Sequence, residues 1–262
     1  MLNAQFMGWC KVIVERLKSG SEVLARHIVR TLLPPQCLSC SEELETEGFC
    51  GKCWGETQFI TGAKCDACGV MLAGEEEDGL FCDTCLKEPP KWQRGRAAAL
   101  YHGGAAKSVM ALKYADRWDL ARPLAQYMLN AGEPVLQADI VAPVPLHWTR
   151  LLRRKFNQAA LLSKEIAMAT GQEHLPDLLF RNRITAIQKS MDRVERQRNL
   201  KDAFSVNSKF KKYLKGKRIL LIDDVMTSGA TLSECADSCK RVGSNDVNVL
   251  VFARVAHSEI IP

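Results

Sequence analysis

Eight cysteines stand as four Cys-x-x-Cys pairs, Cys37/Cys40, Cys50/Cys53, Cys65/Cys68 and Cys82/Cys85, inside one short stretch of a 262-residue chain. A stretch of about 50 residues buries too little apolar surface to fold unaided, so the sulfurs themselves must be joined. Disulfides would need an oxidising compartment, and the sequence gives no sign of one. No apolar run approaches the roughly 18 to 20 residues that span a bilayer, and the start, MLNAQFMGWCKVIVERLK, lacks a basic region followed by a clean apolar core and a cleavage site. A cytoplasmic location is therefore expected, where thiols stay reduced and a Cys-x-x-Cys turn places two thiolates on one tetrahedral ion. Four pairs make two complete S4 sites for structural Zn²⁺. With four thiolates no coordination position stays open for water, which argues against metal catalysis in this module.

Sequential pairing leaves 9 residues between Cys40 and Cys50 and 13 between Cys68 and Cys82, each enough for a hairpin that returns to the ion. That is a tandem zinc ribbon. A cross-braced arrangement, first pair with third, uses the same ligands and stays open. Gly51, Gly55 and Gly69 lie in or just past the turns, where permissive backbone is expected. Cys10, Cys235 and Cys239 are left over. The last two lie one helical turn apart in a stripe with Leu232 and Val242, and core packing accounts for them.

Outside the ribbons, a 47% hydrophobic, 25% charged composition fits a globular protein and excludes disordered and collagen-like classes. Charge is unevenly spread. Residues 41–88 hold 12 Asp/Glu against 3 Lys/Arg, whereas 147–218 hold 18 Lys/Arg against 6 Asp/Glu. A basic face that attracts phosphate-bearing partners is expected, and the acidic ribbon is expected to dock protein. Residues 1–33 read as two helices, with Phe6, Trp9, Ile13 and Leu17, then Leu24, Ile28 and Leu32, at helical spacing until Pro34 and Pro35. After Pro89 and Pro90 strands and helices alternate. Strands are expected near 98–101, 139–143, 218–222 and 247–253, and helices near 105–113, 121–129, 158–170, closed by Gly171, and 230–242, with Gly243 beyond its end. This is an α/β fold with a parallel sheet, whose sites lie beyond the carboxyl ends of the strands. The expected division is a helical segment at 1–33, a double ribbon at 34–90 and an α/β domain at 91–262.

The stretch RILLIDDVMTSGAT, residues 218–231, carries the chemistry. A buried strand ending at Ile222 presents Asp223 and Asp224, and Val225, Met226, Thr227, Ser228, Gly229, Ala230 and Thr231 form a loop into the next helix. Backbone amides, hydroxyls and the positive end of the helix dipole converge there on a phosphate, with Gly229 allowing close approach. Carboxylates cannot bind phosphate. They suit vicinal sugar hydroxyls, so phosphate and hydroxyls together indicate a ribose 5-phosphate. A Mg²⁺-holding strand end or plain helix capping is the bland alternative, and no GxxxxGK[ST] loop occurs in the chain.

ILLIDDVMTSGAT resembles the ribose-phosphate signature of type I phosphoribosyltransferases, which use phosphoribosyl pyrophosphate (PRPP) and Mg²⁺. With PVPLHWTRLLRRKFNQA at 143–159, TAIQKSMDRVERQRNLKDAF at 185–204 and the preceding ribbon, the chain is similar to the ComF family, associated with DNA uptake in competent bacteria. The resemblance covers about residues 34–255. Lys155 stands where that family usually has glycine, and Ser228 replaces the usual threonine. The resemblance implies that Val144, Pro145 and Leu146 bind pyrophosphate, with Arg150, Arg153 and Arg154 adding charge. It also implies a mobile hood over 181–199, in which Arg183, Lys189 and Arg196 would act during catalysis, joined by Arg193 and Arg198. Lys113 and Tyr114 resemble a family segment near the site, although core packing accounts for that helix too. Two functional classes follow: a working transferase with PRPP and Mg²⁺, or a silent PRPP sensor or single-stranded-DNA accessory. His147, Trp148 and Phe156 among arginines would serve the latter, and the ribbon would meet proteins of the uptake machinery.

Overall fold

The computed structural model describes residues 34–146, 156–182, 200 and 202–256. The helices expected within 1–33, Cys10, His147, Trp148, Arg150, Arg153, Arg154, Lys155 and the hood residues Arg183, Lys189, Arg193, Arg196 and Arg198 lie outside the described residues.

Two apolar strands, β6 (Ile219–Met226) and β7 (Val247–Arg254), form the centre of the sheet. Their near-continuous hydrophobic runs suit strands covered on both faces. β1 (Gly95–Leu100), β2 (Ile140–Pro143) and β3 (Glu173–His174) complete an all-parallel sheet of order β1-β7-β6-β2-β3. A separate antiparallel pair, β4 (Leu179–Arg181) and β5 (Phe204–Val206), brackets the segment expected to form the hood.

Residues of β6 alternate between two cores, as a period of two demands. Leu220 and Ile222 face α3 (Gly103–Tyr114), α4 (Ala121–Gly132) and α5 (Gln158–Thr170), packing with Leu112, Leu124, Met128, Leu162 and Ile166. Ile219 and Leu221 share the opposite core with Leu232, Cys235 and Cys239 of α6 (Ala230–Arg241), with Phe204, and with Cys65, Cys68, Cys85 and Trp92 from the second ribbon. Burial raises the Cys235 thiol well above its ordinary value and pushes Cys239 up to about 12, so both stay neutral in the core. The expected helix ends hold. Asn157 caps α5 by accepting from the Ala159 amide, and Gly171 closes it at φ 69°.

One expected boundary moves. β6 continues to Met226, because Asp223, Val225 and Met226 keep pairing with Val251, Ala253 and Arg254 of β7. The acids therefore sit in the strand, Val225 and Met226 are strand residues, and the turn into α6 shrinks to residues 227–229. Two glycine expectations also change. Gly51 and Gly55 fall in α1 (Gly51–Gly55) with nothing near their missing side chains and no left-handed backbone, so neither position requires glycine. Gly69 does require it, at φ 68° with a Cβ position 3.0 Å from the backbone of Arg96 and Ala97.

Both ribbons are built onto the sheet. Residues 58–60 of the first lie antiparallel along β1, with Ile60 N donating to Ala98 O at 3.0 Å and Leu100 N to Gln58 O at 2.8 Å, so the edge strand is covered. Phe49, Trp54 and Phe59 pack with Tyr127 of α4, the Phe59 and Tyr127 rings stacked at 5.3 Å. The second ribbon carries α2 (Asp83–Lys87) and joins β1 through a buried Arg96–Asp66 ion pair and the bond from Gly95 N to Asp66 O. Gly104 fixes the first seam, since a Cβ there would lie 2.3 Å from Thr57 Oγ1 and 2.9 Å from Cys53 O. Gly104→Ala is expected to cost about 1–3 kcal/mol by overpacking, read as a lower midpoint in denaturant unfolding. Among the described residues no helix is long and apolar enough to cross a membrane.

Candidate functional site

β2 and β6 are neighbours, yet the helices that follow them leave on opposite faces, α5 into one core and α6 into the other. Their carboxyl ends diverge into a crevice, the place where open parallel sheets bind ligands. A cleft of about 540 Å³, its open mouth included, is lined there by Lys113, residues 144–146, Arg181, Asp223, Asp224 and Thr231, with the amino end of α5. The sequence-predicted residues thus converge: the paired acids, the Val144–Leu146 loop and the end of the hydroxyl loop share one cavity. Val225, Met226, Thr227, Ser228, Gly229 and Ala230 line a second, smaller hollow that shares Asp223 and Thr231 with the first.

Asp224 is 7% exposed and pairs with Lys113, Nζ to Oδ1, at 3.0 Å. Lys113 comes from the last turn of α3, so the helix reaches across the sheet end to neutralise the inner acid. Asp223 is less buried and accepts from the Asp224 amide at 2.9 Å through Oδ1. The Val144 loop is tied down twice. Val144 N donates to Ile222 O at 2.9 Å, and Asn157 Nδ2 donates to Val144 O at 3.0 Å while its Oδ1 caps α5. The cap of α6 is different, for Gly229 stands at the N-cap with φ 78° and supplies no side-chain oxygen. The intrusion expected at Gly229 is real, but its object is Trp92, whose Cη2 lies 2.8 Å from the missing Cβ. Cation Arg181, whose guanidinium also sits 5.4 Å over the Phe204 ring, and the clamp Asn157 were not picked out by sequence reasoning. An Asn immediately before an apolar-periodic run was the available signal for the clamp.

The eight cysteines gather as two sets, Cys37, Cys40, Cys50 and Cys53, then Cys65, Cys68, Cys82 and Cys85, with the sulfurs of each set within 4.8 Å of one another. Pairing is sequential, and the cross-braced alternative falls away. Cys40 to Cys50 and Cys68 to Cys82 are each 3.8 Å between sulfurs. A tetrahedral Zn²⁺ with ligands at about 2.3 Å needs sulfurs about 3.8 Å apart, so both donor sets fit zinc. Although burial opposes it, amides of Cys40, Cys50 and Ser39 directed at the Cys37 sulfur pull its thiol down to about 6, the form a metal requires. Cys68 is pushed up to about 11, first by its hydrogen bond with Cys65, while the Arg254 charge acts the other way.

Residues 28–92 match the double zinc ribbon domain family and residues 174–260 the phosphoribosyl transferase domain family. "DNA utilization protein YhgH" of Salmonella typhimurium is 31% identical over 233 residues, covering 85% of this chain and 98% of its own. The chain belongs to the ComF family. A further ComF relative, "Competence protein F" of Haemophilus influenzae, is 26% identical over 224 residues, 83% of this chain and 90% of its own. Among solved structures, the allosteric regulatory enzyme of purine biosynthesis aligns over 54% of this chain and 29% of its own, at 19% identity and a TM-score of 0.38. In this ComF chain the second ribbon and the transferase-like sheet share one core, whereas the first cluster forms a small core of its own.

Proposed function

We propose that the cleft binds PRPP with Mg²⁺ and that the chain serves DNA uptake in the cytoplasm, with a double ribbon over 34–90 and a phosphoribosyltransferase-like domain over 91–262. The observation that carries the PRPP reading is the meeting, at the sheet's switch point, of paired acids, a hydroxyl-rich turn and a backbone loop clamped by Asn157. Asp223 and Asp224 would accept from the ribose hydroxyls, and Thr227, Ser228, Ala230 and Thr231 would hold the 5-phosphate at the start of α6. Val144, Pro145 and Leu146 would meet the pyrophosphate, with Lys113 and Arg181 offsetting its charge. Mg²⁺ supplies neutralisation of the leaving pyrophosphate and needs one or two oxygens from the protein beside those of the ligand. Arg183, Lys189 and Arg196 would close over the sugar and exclude water. The role in DNA uptake is supported by the relatives named for competence and DNA utilization. Calorimetric titration of Mg²⁺–PRPP into the full chain tests the pocket. Saturable binding near micromolar strength, about −8 kcal/mol, is expected; no heat at millimolar ligand would overturn the reading.

A second reading, contact with single-stranded DNA, is favoured by a turn remote from the cleft. Lys209, Lys211, Lys212 and Lys215 are exposed around Tyr213 at the amino end of β6, with Lys217 over the tyrosine ring at 5.4 Å. Four strand residues, 219–222, about 13 Å of strand, separate this turn from Asp223, at the opposite end of β6 from the cleft. DNA and PRPP would then bind without competing. Four phosphate contacts predict that the logarithm of the DNA affinity falls with the logarithm of salt at a slope of about −3. A salt titration by fluorescence anisotropy measures it, and a flat response removes the lysine turn from the reading.

A further inference from the structure

The second cysteine cluster and the turn proposed to hold phosphate share one cavity. Cys68, Cys85, Trp92, Met226, Ser228, Gly229 and Arg254 all line it, in a volume of about 530 Å³ with its open mouth. Two side chains connect its walls. Trp92 is 6% exposed; its indole N–H donates to Ala67 O, inside the Cys65–Cys68 turn, and its ring edge occupies the space a side chain at Gly229 would need. Arg254, 3% exposed at the end of β7, donates through Nη1 to Met226 O at 3.2 Å and to Thr227 O, the two carbonyls that lead into the turn. Its charge also reaches Cys68. A fourth bond, from Lys91 N to Ser233 Oγ at 3.2 Å, fastens the segment after the ribbon to the first turn of α6.

We infer that the second cluster is a support of the phosphate turn, and that Trp92 and Arg254 are positioning residues through which its metal-holding fold fixes residues 227–230. Physically, four thiolates around one Zn²⁺ would carry a net double negative charge, and Arg254, a buried cation lining the cavity that Cys68 and Cys85 share with the turn, donates to the turn's carbonyls beside it. With those carbonyls turned toward Arg254, the adjoining amides stay free to face an anion on the other side. Trp92 acts sterically: it is held by the cluster's own backbone and leaves glycine's left-handed geometry as the fitting one at 229. The first cluster is differently placed. It docks on the opposite end of α3, at Gly104, about 14 Å of helix from Lys113. The inference rests on the PRPP reading for its functional consequence but not for its structural content.

Hydrogen exchange of the amides at 227–232, in zinc-loaded full-length protein, reads the turn directly, and calorimetry with Mg²⁺–PRPP reads its consequence. Trp92→Phe severs the bond to the ribbon turn, and Arg254→Lys keeps the charge while losing the forked donors. Both are expected to speed exchange at 227–232 and to weaken PRPP about tenfold, with zinc content unchanged. Cys82→Ser, which removes the half-buried ligand of the second cluster, should also speed exchange at 227–232 and weaken PRPP, here with loss of zinc, whereas Cys40→Ser in the first should leave exchange at 227–232 as in the wild type. If Cys82→Ser fails to fold, the Trp92 and Arg254 variants still decide. Unchanged exchange at 227–232 in both of those variants overturns the inference. A wild type that binds no PRPP but shows the exchange pattern removes the PRPP reading alone.

Discussion

Stripping the metal from both clusters is expected to unfold the whole chain in one transition, not the ribbons alone. Cys65, Cys68 and Cys85 belong to the same core as Leu221, Val249 and Leu232, so the second site has no boundary at which unfolding could stop. The first cluster, Cys37, Cys50 and Cys53, forms a separate small core with Leu44 and Phe49. Structural zinc sites contribute roughly 10–16 kcal/mol of apparent free energy at neutral pH, against a total stability of about 5–15 kcal/mol for a typical domain. The metal term therefore outweighs what the sheet can lose. Single substitutions should divide by cluster: Cys65→Ser, fully buried, abolishes the folded state, whereas Cys40→Ser, exposed, lowers the midpoint and frees the 34–60 region. Circular dichroism melts with and without chelator, alongside released-zinc assays, check this. Helical signal that survives complete chelation at room temperature would show that the sheet domain stands without its ribbons.

The ligand sets and the sheet's central strands were legible because each rests on local pattern. Cys-x-x-Cys spacing is set by the turn around one ion, and the runs at 219–222 and 247–253 can only be strands covered on both faces. Gly171 marked the end of α5 to the residue for the same reason. What stayed hidden depends on partners distant in sequence. β6 extends through both acids because β7 lies beside it, and nothing within DDVM announces that neighbour. β3 and the β4–β5 pair, two and three residues long, carry too little pattern to be read. Trp92 reads as a lone aromatic after two prolines, yet its position over Gly229 follows from the ribbon's docking on β1. Arg181 enters the cleft only because β4 pairs with β5.

Replacing Asp224 should separate a structural from a ligand-holding role for the acid pair. Asp224→Asn keeps the shape but leaves the Lys113 ammonium, whose side chain is 16% exposed, without its counter-ion. Breaking a fully buried pair costs about 3–5 kcal/mol, and the solvent still reaching Lys113 reduces the expected loss to about 1–3 kcal/mol. Lys113→Met should cost a similar amount for the mirror-image reason. The double variant Lys113→Met/Asp224→Asn removes both charges together, so its stability should exceed that expected from summing the single losses by about 1–2 kcal/mol. Ligand binding should not recover with it. Each charge-assisted hydrogen bond to a ribose hydroxyl is worth about 1.5–3 kcal/mol, so Asp224→Asn alone should weaken PRPP roughly 10- to 150-fold, and Asp223→Asn/Asp224→Asn should abolish measurable binding. Denaturant melts and calorimetry on the same samples make the comparison. A double charge-removal variant that regains stability and binds PRPP like the wild type would mean that Asp224 exists to hold α3 against the sheet, and that the sugar is read elsewhere. Regained stability without regained binding places the pair in ligand recognition, Asp224 at the ribose or Lys113 at the pyrophosphate, and binding lost in Asp224→Asn but kept in Lys113→Met assigns it to the acid.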